Sequence, residues 1–234
     1  MNRTALRHDL VGATALTDGR PPFEVRIHRR YNPEGSTQYN VVPGLVGVIL
    51  TMTMVIMTAL AVTRERERGT MEALLATPVR PLEVLVGKIV PYILVGVIQV
   101  AIVFVAARLL FGVPMVGNYA LFAASVLLFI AANLAVGVTF STVARNQLQA
   151  MQMAIFFMLP SIMLSGFVFP YRGMPGWAQA LGEILPLTHF LRIVRAVMLK
   201  GAHLPDVVAD IWPLALFLTA AVGIALARYR RTLD

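Results

Sequence analysis

Five long apolar runs constrain the fold of this chain more than any other feature. They fall at about residues 41–62, 85–110, 119–143, 152–170 and 210–227, and charged or turn-forming residues separate them. A transmembrane helix needs roughly 20 predominantly apolar residues, and every run is close to that length. Separate runs of this kind exclude a single soluble core. The sequence therefore predicts an all-α fold, a polytopic transmembrane helical bundle with about five spans.

Composition favours the same fold class. Hydrophobic residues make up 58% of the chain and charged residues only 14%, whereas roughly a quarter of the residues in soluble proteins are charged. The net charge of +8 does not indicate nucleic-acid binding, because the arginines gather at the ends of apolar runs, where they anchor helices at the membrane surface. The sequence has no cysteine, which excludes thiolate metal sites and cysteine nucleophiles.

The segment between the first two apolar runs, residues 63–83, carries the densest charge. It reads TRERERGTMEALLATPVRPLE. Alternating Arg and Glu lead through Gly69 into a short helix-forming stretch, which Pro78 and Pro81 stop. One interpretation is an ordinary cytoplasmic loop whose arginines anchor to lipid head groups. Because glutamates are interleaved with the arginines, we favour the other interpretation, a short amphipathic helix that contacts a soluble protein.

This charged segment resembles the coupling helix of the type-2 family of ABC transporter permeases, the membrane subunits of ATP-driven exporters. The likeness extends from about Tyr31 to Arg231. In that family the coupling helix docks on the ATPase subunit, so the resemblance implies the same contact here. The implied contact residues are Glu65, Arg66, Glu67, Arg68, Gly69, Thr70, Met71, Glu72, Leu74 and Leu75.

The stretch between the last two apolar runs carries a second match to the same family. It resembles the segment before the family's last helix, which forms re-entrant helices on the outer side of the membrane. The residues of this outer segment that carry the match include Ser165, Gly166, Pro170, Trp177, Pro186, Phe190 and Arg195. His189 departs from the family pattern, in which an aromatic residue is usual, and this departure concerns local packing only.

Ser165 and His189 could suggest a nucleophile and its base. We expect no catalysis there, because nothing supplies an orienting acid and the neighbours of Ser165 lack the pattern of a nucleophile turn. Residues 187–200 instead predict an amphipathic helix, with His189, Arg192 and Arg195 on one face.

The resemblance divides the chain into a remnant of an extracytoplasmic domain, residues 1–40, and a permease domain, residues 41–234. It implies that the first transmembrane helix and most of the extracytoplasmic domain are missing from this sequence. Basic residues are nearly balanced between the two sides of the membrane, so charge counting does not decide the topology. The resemblance places residues 63–83 in the cytoplasm and the chain in the cytoplasmic, or inner, membrane as a multi-pass protein.

The sequence thus predicts the permease subunit of an ABC exporter, a chain that is not itself an enzyme. It contains no Gly-x-x-x-x-Gly-Lys-Ser/Thr phosphate loop, so a separate ATPase subunit would bind ATP and Mg and hydrolyse the ATP. We expect no cofactor or metal in this chain. The expected partners are the ATPase, a second permease copy or paralogue in a homodimer or heterodimer, and membrane lipid, but not nucleic acid.

The alternative is a secondary transporter or channel. Such proteins usually place ionisable residues at mid-membrane, whereas the centres of these runs carry only Gln99, Asn133 and a few Ser and Thr. A membrane-embedded enzyme is disfavoured because no run contains paired Asp or a His-Glu-x-x-His motif. The transported substrate stays open.

Overall fold

The computed structural model describes residues 37–67 and 81–230 of the chain. These residues form helices α1 (Thr37–Glu67), α2 (Pro81–Phe111), α3 (Tyr119–Val143) and α4 (Gln147–Leu164), a 3₁₀ turn (Tyr171–Gly173), and helices α5 (Gly176–Gly182), α6 (Pro186–Lys200) and α7 (Leu204–Arg230). No strand occurs within the described ranges. The predicted all-α fold is confirmed.

Five of the helices are long and apolar enough to cross a bilayer. The apolar stretches are Val41–Ala61, Ile89–Phe111, Tyr119–Val143, Gln147–Leu164 and Leu204–Ala227. They match the five predicted spans one for one, which confirms a polytopic helical bundle. We refer below to the end of the bundle where α1 stops and α4 begins as the charged end, and to the opposite end, where α4 stops, as the far end.

Helix bounds differ from the predicted runs at two places. The fourth run was expected to reach residue 170, but α4 ends at Leu164 because Gly166 adopts a left-handed conformation with φ of +82°, which glycine tolerates at little cost. The last run was expected to begin at residue 210, but α7 begins at Leu204. Its first turn is stabilised by Asp206, whose carboxylate accepts a hydrogen bond from the backbone N–H of His203 over 2.9 Å.

Helices α1 and α3 form the centre of the bundle, and α1 leads from it into the charged segment. Helix α3 is the more deeply buried of the two. The contacts of α1 follow a simple pattern. Helix α1 packs against α2, α3, α4 and α6. Val46, Leu50 and Met54 recur at every fourth position and are almost wholly buried, so they form one continuous contact stripe along the helix. Buried residues of α2, α3, α6 and α7 join this stripe in the main hydrophobic cluster, and the buried alanines of α4 belong to two smaller clusters.

Glycines allow α1 to approach its neighbouring helices closely. A Cβ added to Gly137 of α3 would lie 2.8 Å from the carbonyl oxygen of Val55 and 2.8 Å from the Cβ of Thr58. A Cβ added to Gly47 of α1 would lie 2.8 Å from Leu187 of α6. Close approach of this kind is how helices associate in lipid, where apolar side chains gain little by leaving the bilayer.

We expect the substitution Gly137→Ala to destabilise the bundle, because the added methyl group collides with the backbone of α1. Overpacking of this kind costs about 1–3 kcal/mol. The matched control is Gly223→Ala in α7, where an added Cβ meets no atom within 4 Å. Thermal melting in detergent, with size-exclusion chromatography as the readout of folded protein, should show a lower melting temperature for the first variant only. Equal melting of the two variants would contradict the close α1–α3 contact.

Candidate functional site

The predicted ATPase contact begins inside the described part of the chain. Helix α1 continues beyond its apolar stretch and carries Glu65, Arg66 and Glu67 in its last turn. The remaining predicted contact residues lie outside the described residues: Arg68, Gly69, Thr70, Met71, Glu72, Leu74 and Leu75. The coupling helix therefore stays a prediction, while the helix that leads into it, α1, packs against α2, α3, α4 and α6.

Glu67, at the end of α1, contacts the beginning of α4. Its carboxylate accepts a hydrogen bond from the backbone N–H of Gln147 over 2.7 Å and a second from the side-chain amide of Gln147. The side-chain and backbone hydrogen bonds from Gln147 lower the pKa of Glu67 below its ordinary range. Sequence reasoning singled out Glu67 but not Gln147, which lies 80 residues away in the sequence.

The residues of the predicted outer segment divide between the core and the surface at the far end. Pro186 and Phe190 are buried, and Phe190 stacks on Phe129 of α3 with ring centroids 4.0 Å apart. Pro170 and Trp177 are exposed. The structure therefore buries only part of the predicted segment.

Gly166 and Arg195, two further residues of the predicted segment, meet across the far end. The guanidinium of Arg195 donates a hydrogen bond to the carbonyl oxygen of Gly166 over 3.2 Å. Burial lowers the pKa of Arg195, and its Nε atom has no hydrogen-bond partner among the described residues. The contact ties α6 to the turn that follows α4.

Ser165 and His189 do not form a catalytic pair. The hydroxyl of Ser165 donates to the carbonyl oxygen of Ile162 over 2.9 Å, as serines within helices often do. The expectation that no acid orients His189 is wrong, because Nδ1 of His189 lies 2.9 Å from Oδ1 of Asp210 in α7. The sequence could not show this contact, since 21 residues and a turn between helices separate the two.

His189 belongs to a polar cluster that we define as Tyr171, Glu183, His189, Arg192 and Asp210. Arg192 lies between two carboxylates, 2.6 Å from Oε1 of Glu183 and 3.3 Å from Oδ1 of Asp210. The hydroxyl of Tyr171 donates to Oε1 of Glu183 over 2.6 Å, and the guanidinium of Arg192 lies 4.5 Å above the Tyr171 ring. The polar cluster joins the 3₁₀ turn, the end of α5, α6 and α7.

Mutual attraction within the polar cluster favours the charged forms of Glu183 and Arg192 and leaves Tyr171 as a neutral donor. Hydrogen bonding from Arg192 lowers the pKa of Glu183. Burial lowers the pKa of Arg192, but its hydrogen bonds and attraction to Glu183 and Asp210 outweigh burial and raise the pKa above the ordinary value. Burial and the hydrogen bond to Glu183 raise the pKa of Tyr171. The cluster is therefore an ion network rather than a set of reactive groups.

His189 completes this network when its ring is protonated. Nε2 of His189 lies 2.8 Å from the backbone carbonyl oxygen of Glu183, and Nδ1 faces the carboxylate of Asp210. Both ring nitrogens thus face acceptors, and only the imidazolium form can donate to both. Burial lowers the pKa of His189, but the hydrogen bonds to Asp210 and Glu183 outweigh it and raise the pKa above the ordinary 6.5. When it is protonated, the ring carries the positive charge that balances the carboxylate of Asp210.

Comparison with known proteins fits this architecture. The family described as ABC-2 type transporter matches residues 23–199 of this chain. This chain belongs to the ABC-2 type transporter family. The resemblance found in the sequence is therefore confirmed. With its five candidate spans, the ABC-2 chain is a multi-pass protein of the cytoplasmic membrane.

Three relatives from Escherichia coli (strain K12) cover nearly all of this ABC-2 chain. The probable multidrug ABC transporter permease YbhR is 36% identical over 220 residues, which are 92% of this chain and 60% of the relative. The probable multidrug ABC transporter permease YbhS is 34% identical over 92% of this chain and 57% of its own length. The inner membrane transport permease YhhJ is 33% identical over 91% and 57%. This chain thus spans less than two thirds of the length of these relatives.

We expect the polar cluster to make stability fall as pH rises above neutrality. Because the folded state raises the pKa of His189 above 6.5, the contribution of its charge is fully present below that value and is lost as pH rises through the folded pKa. Among the side chains of the polar cluster, only histidine ordinarily titrates between pH 5 and about 8. Melting temperature in detergent should therefore decrease between about pH 6 and about pH 9.

The substitution His189→Gln should remove this part of the pH dependence, since glutamine does not titrate. The control is His203→Gln, which replaces an exposed histidine outside the polar cluster and should leave the wild-type profile. A His189→Gln protein whose melting temperature keeps the wild-type dependence on pH would show that the imidazolium does not hold the far end together.

Proposed function

We propose that this chain is the permease subunit of an ABC exporter, which moves its substrate out of the cell with energy from ATP hydrolysed by a separate ATPase subunit. The observation that supports this most directly is the course of α1. This helix packs against α2, α3, α4 and α6, and it runs from the core into the charged segment without a break. A force applied to the charged segment would thus reach the middle of the bundle along one helix.

In the proposed ATPase contact, the charged segment is a rigid projection that fits against the surface of the ATPase. Glu65, Arg66, Arg68 and Glu72 would pair with charged groups on the ATPase surface, while Met71, Leu74 and Leu75 would fill an apolar depression in it. Gly69 would permit the tight turn between them. ATP and Mg would be bound by the ATPase, and this chain would convert its closure into a movement of helices.

A second permease subunit and membrane lipid would cover the outside of the bundle. Only 11% of the apolar stretch of α2 and 17% of that of α4 are buried within this chain. Such surfaces suit lipid contact and subunit contact alike. We propose a dimer of permeases, with the path for the substrate between the two bundles. The names of the E. coli relatives make drug-like compounds the first substrates to test.

No observation favours the alternative, a secondary transporter. Gln99 accepts a hydrogen bond from Thr53 over 2.8 Å, and the amide of Asn133 donates to the carbonyl oxygen of Phe129 over 2.9 Å. The first hydrogen bond joins α1 to α2, and the second lies within α3. Neither side chain carries a charge that could couple transport to an ion gradient.

Co-purification tests the proposed function. A tagged chain is expressed together with the genes next to its own, extracted in detergent, and its partners are identified by mass spectrometry and assayed for ATP hydrolysis. We expect an ATPase in roughly equal amount, and we expect Glu72→Lys to reduce its recovery at least about tenfold, the effect of losing about 1.4 kcal/mol of binding free energy.

The control for this experiment is Arg172→Glu, a charge reversal at an exposed position of the 3₁₀ turn, which should leave recovery unchanged. A folded chain that purifies without any ATPase would overturn the proposed function. Recovery that Glu72→Lys leaves unchanged would overturn the proposed docking surface.

A further inference from the structure

Two helices that are distant in sequence meet at the charged end through a single carboxylate. Oε1 of Glu67 accepts from the backbone N–H of Gln147, and Oε2 accepts from its side-chain amide. Both oxygens of the carboxylate are therefore used within the chain. The proposed ATPase contact does not account for this geometry, because a docking carboxylate would direct its oxygens away from the bundle.

The first turn of α4 explains why a carboxylate belongs at this position. Asn146 caps the helix by accepting the N–H of Gln149 over 2.8 Å, and the side chain of Gln149 accepts the N–H of Arg145 over 2.8 Å. The N–H of Gln147 points out of the helix without an acceptor in its own turn. Glu67 supplies that acceptor, and its negative charge also suits the positive end of the helix dipole.

Apolar contacts also hold α1 and α4 together at this end, where Phe140 of α3 and Met153 of α4 pack against a cluster of three alanines. Ala59, Ala144 and Ala150 are completely buried and pack together there. Glu67 adds a directional connection between the two helices at the charged end, through its two hydrogen bonds from Gln147.

We propose that Glu67 is a positioning residue that fastens α4 to the charged segment, so that a displacement of the segment moves the start of α4 together with the end of α1. The proposal rests on the proposed function, since it concerns how an ATPase would act on the bundle. It assigns different roles to residues of the charged segment: Glu67 binds α4 within the chain, whereas its neighbours would contact the ATPase. Through this connection a displacement of the charged segment would reach a second span, α4, as well as α1.

The helix start offers a substitution that removes the hydrogen bonds and keeps the helix. Gln147 is the first residue of α4, the position at which proline is favoured because no intrahelical N–H is needed. Asn146 before it is extended, with φ of −146° and ψ of 166°, as the residue before a proline must be. Gln147→Pro therefore removes both donors to Glu67, and Gln147→Ala removes only the side-chain donor.

Cysteine labelling provides a readout that needs no known substrate, because the natural chain contains no cysteine. A single cysteine is placed on α4 at Met151 or, as the control, on α1 at Met52, both exposed. Maleimide labelling rates are compared in the complex with its ATPase, first without nucleotide and then with ATP and vanadate. We expect labelling at both positions to change with nucleotide in the otherwise wild-type chain.

Gln147→Pro and Glu67→Ala should abolish the nucleotide response at Met151 and retain it at Met52, with unchanged recovery of the ATPase. Gln147→Ala should reduce the response at Met151 only partly, because the backbone donor remains. The proposal is overturned if the response at Met151 persists in Gln147→Pro, or if α4 does not respond to nucleotide in the wild-type complex. It is also overturned if Glu67→Ala lowers ATPase recovery while Gln147→Pro has no effect, since Glu67 would then be a docking residue.

A chemical cross-link separates this proposal from the proposed function. Cysteines at positions 67 and 147 should be joined by a short bifunctional thiol reagent in membranes that contain the chain alone, and cysteines at positions 67 and 164 should not. Position 164 lies at the other end of α4, roughly 25 Å away at 1.5 Å per helical residue. If the cross-link forms but no ATPase co-purifies, the exporter function is refuted and the Glu67 contact stands. If the cross-link does not form, the Glu67 contact itself is refuted.

Discussion

The approach of α1 to α3 at Gly137 is the contact on which the rest of the bundle depends. In a bilayer the helices cannot rely on the hydrophobic effect to associate, and backbone atoms must come close enough for dispersion forces to act. Gly137 permits this against Val55 and Thr58. Helix α6 packs against both helices of this pair, and its Phe190 stacks on Phe129 of α3. The pair thus forms the centre on which the other helices pack.

Polar interactions then fix what the apolar contacts leave free. At the far end the polar cluster around Arg192 holds the short helices against α7. At the charged end Glu67 fastens α1 to α4. Both sets of bonds lie near the ends of the spans, where charges cost less than at mid-membrane. A transporter subunit can move helices as units only if such end contacts keep the units together, so the two sites have a mechanical role in common.

The sequence predicted the features that depend on local composition. Span length is a property of a continuous run, so the five spans were predicted, and the charged segment and the outer segment revealed the family. The end of α4 was misplaced, because hydropathy continues past Leu164 while the backbone turns at Gly166. Contacts such as His189 with Asp210 and Glu67 with Gln147 were missed, since polar pairs between distant helices leave no periodic signal.

If the α1–α3 pair is the core of the bundle, the two helices should move as one rigid pair when the proposed ATPase subunit closes. Electron paramagnetic resonance tests this with spin labels on cysteines introduced at the exposed positions Met52 of α1 and Leu127 of α3. Distances are measured in the complex without nucleotide and after trapping with ATP and vanadate. We predict that the distance from position 52 to position 127 within a chain stays constant, while the distance between the two copies of position 127 in the dimer changes. A nucleotide-dependent change in the distance within the chain would contradict the central role of the α1–α3 contact.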